Sequence, residues 1–294
     1  MPPSGEQVEL AHGDQEAVVV GVGGGLRLYA AGGKEVVDGY GAGELSSSGR
    51  GQLLLPWPNR IEDGLYEFGG KSYQLALDEI ERHNAIHGLT RWSEWSVAER
   101  EPARAVLELA LYPSPGYPFA LDFRVEYALG SKGLTVQIEA TNVGSGPCPY
   151  GAGAHPYLAV DGDRVDGVEL RVPAHTVLQS NERALPVGRA TVQGELDFRE
   201  AKPIGSTALD HCFTDLERDE DGRARVVLAA GPTLWVDESY PFLMVFTGDG
   251  LPDVARRSLA VEPMTCAPNA FRTGDGLVVL EPGETHSGTW GIQP

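Results

Sequence analysis

Hydrophobic and polar residues alternate with a period of two in the clearest stretches of the chain. Phe123, Val125, Tyr127 and Leu129 are interleaved with Arg124, Glu126 and Ala128. Leu134, Val136, Ile138 and Ala140 are interleaved with Thr135, Gln137, Glu139 and Thr141. Successive side chains of a strand point to opposite faces, so this pattern predicts two strands with one buried face each. The Gly130-Ser131-Lys132-Gly133 connection makes the pair antiparallel. Tyr66 to Tyr73 reads as a hairpin, because Gly69-Gly70 supplies the positive φ angles that a two-residue turn needs. Further strands are predicted at Ala17 to Val22, Leu26 to Ala30, Ala105 to Tyr112, Arg225 to Ala229, Phe242 to Phe246, Ser258 to Val261 and Leu277 to Leu280. Leu216 to Arg223 reads as an exposed charged turn. No amphipathic helix longer than about three turns is visible, against a usual helix content near one third. No repeat or linker divides the chain. The expected architecture is all-β: one large antiparallel β-sandwich domain over residues 1–294, with 1–15 as a flexible N-terminus.

Composition narrows the function. The 38 glycines and 21 prolines among 294 residues are scattered, as suits many short strands joined by turns. The formal charge is −19. A nucleic-acid binder needs a positive surface to displace counterions from phosphates, and an anionic membrane asks the same, so neither is an expected partner. Cys148, Cys212 and Cys266 are far apart with no CxxC pair, which argues against a disulfide framework and a structural zinc site. Met1 to Glu6 lacks the features of a signal peptide, and no stretch of about 20 apolar residues suggests a membrane helix, so the cytoplasm is the expected compartment.

Candidate chemistry lies in a few unusual contexts. Gly21 to Gly25 follows a predicted strand, but Leu26 stands where the third glycine of a dinucleotide fingerprint would fall, so a tight turn is the better reading. Arg60 lies in Pro56-Trp57-Pro58-Asn59-Arg60-Ile61, where its stem could simply cover Trp57. His87 precedes Gly88 and could merely serve a turn. His155 precedes Pro156 at a strand end. Glu262 leaves an apolar strand, and a buried carboxylate needs a partner. Asp210 is more often a turn cap than a ligand. His83 and His87 have the H-x3-H spacing of some zinc sites. Asn84 stands where the catalytic Glu of that motif would be, and Gly88 opposes the helix it requires, so no metal is expected.

The run Pro56 to Ile61, then Gly64, Tyr66, Phe68 and Tyr73, then Ile86-His87-Gly88, resembles the aldose 1-epimerase (galactose mutarotase) family. Gly153-Ala154-His155-Pro156-Tyr157, Leu209 to Phe213, Val261-Glu262-Pro263 and Leu280 to Glu284 resemble later segments of that family, in its order. The resemblance covers residues from about 15 to 294 and implies the family's fold, a galactose mutarotase-like supersandwich. It implies Glu262 as general base and His155 as general acid, with Arg60, His87, Asp210, Asn59 and Trp57 as substrate-binding residues. The strand Phe242 to Thr247 departs from the family by lacking a polar sugar contact, and Leu89 to Trp95 resembles a bacterial branch.

The implied reaction interconverts the anomers of a free hexose. One acid and one base suffice, so no cofactor is expected. A carboxylate suits the base and an imidazolium the acid, because their ordinary pKa values bracket the proton transfers. Arg60 would offer a planar fork of donors to adjacent hydroxyls. Trp57, Trp92 or Trp95 could stack on the sugar, or simply pack in the core. The expected partner is a small aldose, and the protein is expected to be a monomer or homodimer. Three rivals remain. A hexose-6-phosphate epimerase would draw on Arg82, Arg91, Arg256 and Arg257 for phosphate. A sugar-binding or sensing protein would use the same fold without catalysis. A glycosidase would need a second carboxylate beside Glu262, for which Asp210 is the candidate.

Overall fold

The structure is a computed structural model and describes residues 2–252 and 254–294. The alternating runs form the centre of a nine-stranded antiparallel sheet. Leu121–Gly130 pairs with Gly133–Asn142 in the register Val125 to Ile138 and Tyr127 to Val136, so the buried faces of both strands coincide. Arg104–Leu111 and Ser96–Glu101 extend the sheet on one side. On the other, Thr285–Gln293 leads to Thr233–Val236, Ala224–Leu228, Glu169–Arg171 and Lys202–Pro203.

A second sheet runs Pro186–Thr191, Ala174–Ser180, Asp210–Leu216, Phe242–Phe246, Leu259–Met264, Gly153–Ala154 and Leu53–Leu54, with Tyr157–Leu158 also pairing to Leu259–Met264. Its central strand is buried on both faces: all six residues of Leu259–Met264, Glu262 included, are buried. One contiguous apolar cluster joins the layers, taking Val125, Ile138 and Trp290 from the first sheet and Phe213, Leu243 and Val261 from the second. This is the expected antiparallel β-sandwich. Among the described residues the only α-helix is the single turn Ala270–Thr273, and no helix is long and apolar enough to cross a membrane. The three cysteines are buried and free.

The N-terminus corrects the expectation of flexibility over 1–15. Gln7–His12 forms a strand paired with Gln15–Val20, and Val8 and Leu10 alternate into the core. The glycine run 23–25 is a turn, as read, and Leu216 to Arg223 leaves its strand as a largely exposed turn.

Candidate active site

A cleft of about 670 Å³ opens over the second sheet. Glu262 rises from the middle of Leu259–Met264, and Asp210 from the start of the strand Asp210–Leu216. His155 directly follows the short strand Gly153–Ala154 and is held by the backbone bonds His155 N–H to Gln52 O and Gly51 N–H to His155 O. The remaining walls are loops carrying Ser46 to Gln52, Glu79 to Arg82, Arg91 and Trp92, and Asp249 to Leu251.

The spacing of the Asn59-Arg60 and His87-Gly88 motifs has a local cause. Arg60–Glu62 pairs antiparallel with Asn84–Ile86, which sets Arg60 opposite Ile86. Beyond this ladder Asn59 and His87 both take left-handed backbone, with φ 55° and 63°. They close on each other reciprocally: the His87 N–H donates to Asn59 O at 2.9 Å, and the Asn59 N–H donates to His87 Nδ1 at 3.2 Å. Strained non-glycine backbone of this kind persists where the surroundings over-determine it, often at functional sites. Gly88 is required by close approach, since a Cβ there would lie 2.0 Å from Leu55 O.

The His87 hydrogen bond fixes its chemistry. Nδ1 is an acceptor, so the neutral ring carries its proton on Nε2 and can only donate into the cleft. Burial, then the nearby His155, Arg91 and Arg60, hold its pKa well below the usual 6.5, so it stays neutral.

His155 and Glu262 meet at the cleft floor, with Nε2 3.3 Å from Oε1. They are only 5% and 3% exposed. Burial pushes the His155 pKa down to about 3 and raises that of Glu262 well above 4.5, with Asp210 reinforcing the second shift. Burial thus biases the expected imidazolium–carboxylate pair toward its uncharged form, a neutral imidazole beside a carboxylic acid, because desolvation penalises both charged forms. The two forms differ only by the transfer of one proton between the groups.

His87, His155 and Glu262 place potential ligand atoms within 4.8 Å of one another. The donor set nevertheless does not suit a metal ion. A ligating imidazole normally donates its other N–H to a neighbour, whereas His87 Nδ1 faces an N–H donor, which leaves no lone pair on Nε2 for a cation.

Arg60 is largely committed to protein. Its Nε and Nη2 donate to both oxygens of Glu79 at 2.9–3.1 Å, and Nη1 reaches toward Asn59 Oδ1 at 3.5 Å. Glu79, unremarked in the sequence, also accepts from Asn84 Nδ2 and Arg82 Nη1. Its signal was the charged stretch Asp78 to Arg82, which periodicity reads only as solvent-facing. Asn59, Arg60, His87, His155, Asp210 and Glu262 all line the cleft. Trp57 does not, which corrects its assignment: it is 2% exposed and packs on Phe271 and Tyr117 at 5.6 and 6.3 Å between ring centroids. A large aromatic between two prolines filled the core rather than the site. Trp95 is buried against Phe123, and Trp92, 57% exposed at the cleft, is the indole free to meet a ligand.

The aldose 1-epimerase family model matches residues 6–293, nearly the whole chain. The chain belongs to the aldose 1-epimerase family. It is similar to the uncharacterized protein YihR of Escherichia coli, with 38% identity over 96% of this chain and 91% of that one. It is 27% identical to galactose mutarotase of Sus scrofa, over 79% of this chain and 74% of that one. Among solved aldose 1-epimerase relatives, a Caenorhabditis elegans aldose epimerase homologue superimposes with a TM-score of 0.85, at 18% identity and 98% coverage of both chains. Galactose 1-epimerase from Lactobacillus acidophilus gives 0.79, at 20% identity, over 98% of this chain and 94% of that one. At such identities these structures establish the shared fold.

Proposed function

We propose that the protein is an aldose 1-epimerase that interconverts the α and β anomers of a free hexose. One observation carries this reading: a buried imidazole nitrogen and a buried carboxyl oxygen lie 3.3 Å apart at the floor of a cleft large enough for a pyranose. In the reactive tautomer Glu262 is a carboxylate and His155 an imidazolium. Glu262 takes the O1 proton as the C1–O5 bond breaks, and His155 gives its proton to O5. The open aldehyde rotates about C1–C2. The O5 hydroxyl then attacks the other face of C1, returns its proton to His155, and O1 recovers one from Glu262. The pair holds one proton before and after, so the protein is unchanged, and each well-placed transfer contributes roughly 10²–10⁴-fold. The uncharged form that burial favours is one proton transfer from this tautomer. His87 Nε2–H donates to a sugar oxygen, Asp210 accepts from hydroxyls, and Trp92 offers an apolar face.

The cleft lining favours a neutral sugar. It holds the acidic Glu79, Glu81, Asp210, Asp249 and Glu262 against the basic Arg60, Arg82 and Arg91. Of the arginines considered for phosphate, Arg256 is buried on Asp166 and Asp249, and Arg257 is spent on Asp38. Arg82 and Arg91 line the cleft but pair with Glu79 and Asp78. A glycosidase would want a second carboxyl group facing Glu262 across the reacting bond, whereas its immediate neighbour is an imidazole.

The test is polarimetry of freshly dissolved α-aldoses. Glu262→Gln and His155→Ala should each abolish most of the acceleration that the wild-type chain gives with glucose or galactose. Near-normal turnover in both variants would remove the assignment. Calorimetric sugar binding without any acceleration by the wild type would turn the reading toward a sensor.

A further inference from the structure

An acid–base imidazole is commonly oriented by a hydrogen bond at its second nitrogen. His155 has no such support: its Nδ1 is buried and bonds no other described residue. Its ring is held instead by packing. It stacks on Tyr157 with centroids 4.9 Å apart and planes 10° apart, and the His87 ring meets it edge-on at 5.5 Å. Gly49 closes the remaining space. A Cβ at Gly49 would lie 2.6 Å from His155 Cδ2, and its φ of 74° independently disfavours a side chain.

The turn that carries Gly49 is itself pinned. The buried Arg50 sets its guanidinium 4.3 Å from the centre of the Tyr157 ring. Arg50 donates to Asp38 through Nε to the carbonyl and Nη2 to the carboxylate, and Asp38 also receives Arg257 and Ser258. The Tyr157 hydroxyl donates to Ser48 O at 2.8 Å. From below, the Leu26 N–H donates to Gly51 O. Gly25 and Gly51 approach so closely that a Cβ on Gly51 would lie 1.9 Å from Leu26 O, and one on Gly25 2.4 Å from Gly51 O. The glycine run that resembles a failed dinucleotide fingerprint thus ends in the footing of this turn.

We propose that the Ser48-Gly49-Arg50 turn is the positioning element for His155. Gly49 is its contact with the imidazole, and Arg50, acting through Tyr157, holds both the ring and the turn in place. This assigns two positioning residues to the acid–base pair. It rests on the mutarotase reading for its kinetic consequence but not for its structural one. Arg50 also adds a positive charge beside His155. The other titratable or charged groups around that ring are Glu262, His87 and Tyr157 in contact, with Arg60 and Arg91 acting through space.

The test compares Gly49→Ala, Arg50→Lys and Arg50→Met, each first checked for a wild-type fold by circular dichroism. The first readout is the NMR signals of the His155 imidazole, and the second is mutarotation kinetics. Gly49→Ala should displace the His155 signals and lower kcat by about 10²-fold, the size expected for roughly 1 Å of misplacement, with KM little changed. Arg50→Met should lower kcat and move the acid limb of the kcat–pH profile to higher pH, because the imidazole then protonates more readily. Arg50→Lys keeps the charge and loses the planar fork, so it should lower kcat while leaving that limb in place. Folded Gly49→Ala and Arg50→Met variants with wild-type kcat and unmoved His155 signals would overturn the proposal. If the wild type itself accelerates no aldose, the proposed function fails, and the NMR arm alone then decides the positioning role.

Discussion

At the residue scale, burial of Glu262 separates what the site does from what the fold prefers. Its carboxyl titrates above its ordinary 4.5 in the folded chain because burial disfavours the charge. A group whose pKa is raised on folding stabilises fully below the unfolded value, and that contribution is lost as pH rises through the folded value. Glu262→Gln carries no such titration. Denaturant unfolding should find the variant close to wild type at pH 4 and increasingly more stable than wild type as pH rises above 4.5, even as the proposed function expects its activity to be lost. A constant gap across that range would contradict the burial argument. Trp57 and Trp92 give a second contrast. Trp57→Ala empties a core position and should cost about 3–5 kcal/mol by chemical denaturation. Trp92→Ala, at the cleft rim, should leave the unfolding midpoint in place and raise KM for the sugar.

At the element scale, the backbone needs glycine where two strands end against each other. Gly88→Ala combines a φ of 75° with a Cβ 2.0 Å from Leu55 O. Strained backbone alone costs roughly 1–3 kcal/mol, and the clash adds to it. The variant should show a lowered melting temperature together with reduced activity, since His87 adjoins the displaced residue. Loss of activity at an unchanged melting temperature would contradict this. The elements legible in the sequence were those long enough to show their period, such as Leu121–Gly130 and Gly133–Asn142. Leu53–Leu54 and Gly153–Ala154 have two residues each and carry no periodic signal, yet Gly153–Ala154 leads directly into His155. Ser96–Glu101 is an edge strand with mostly exposed side chains on both faces, so nothing alternates. Gln7–His12 does alternate but lay too near the terminus to be read as structure. At the site, the residue types and their order pointed to His155, Glu262, Asp210, Arg60 and His87. What stayed hidden was whatever depended on contact across the fold: the ion pair that occupies Arg60, the backbone donor that sets the His87 proton, and the core position of Trp57.

At the scale of the whole molecule, the charge of −19 acts at a distance on anything that approaches. Turnover of a neutral aldose should be insensitive to added salt. A sugar phosphate should be handled worse at low ionic strength and partly recover as salt screens the repulsion, with a Debye length of about 10 Å at 0.1 M. Faster turnover of glucose 6-phosphate than of glucose at low salt would reverse this expectation. The architecture also divides labour. Glu262 stands on a fully buried strand and His155 at the end of another, while much of the surrounding wall is loop. On the proposed function, recognition and proton transfer are thereby mounted on different parts of the chain, loops for the one and sheet for the other. Trp92, Gly250 and Leu251 stand on the loops of this wall, off the strands that carry Glu262 and precede His155. On that reading, a laboratory library confined to those positions should shift sugar preference while the acid–base pair beneath stays in place.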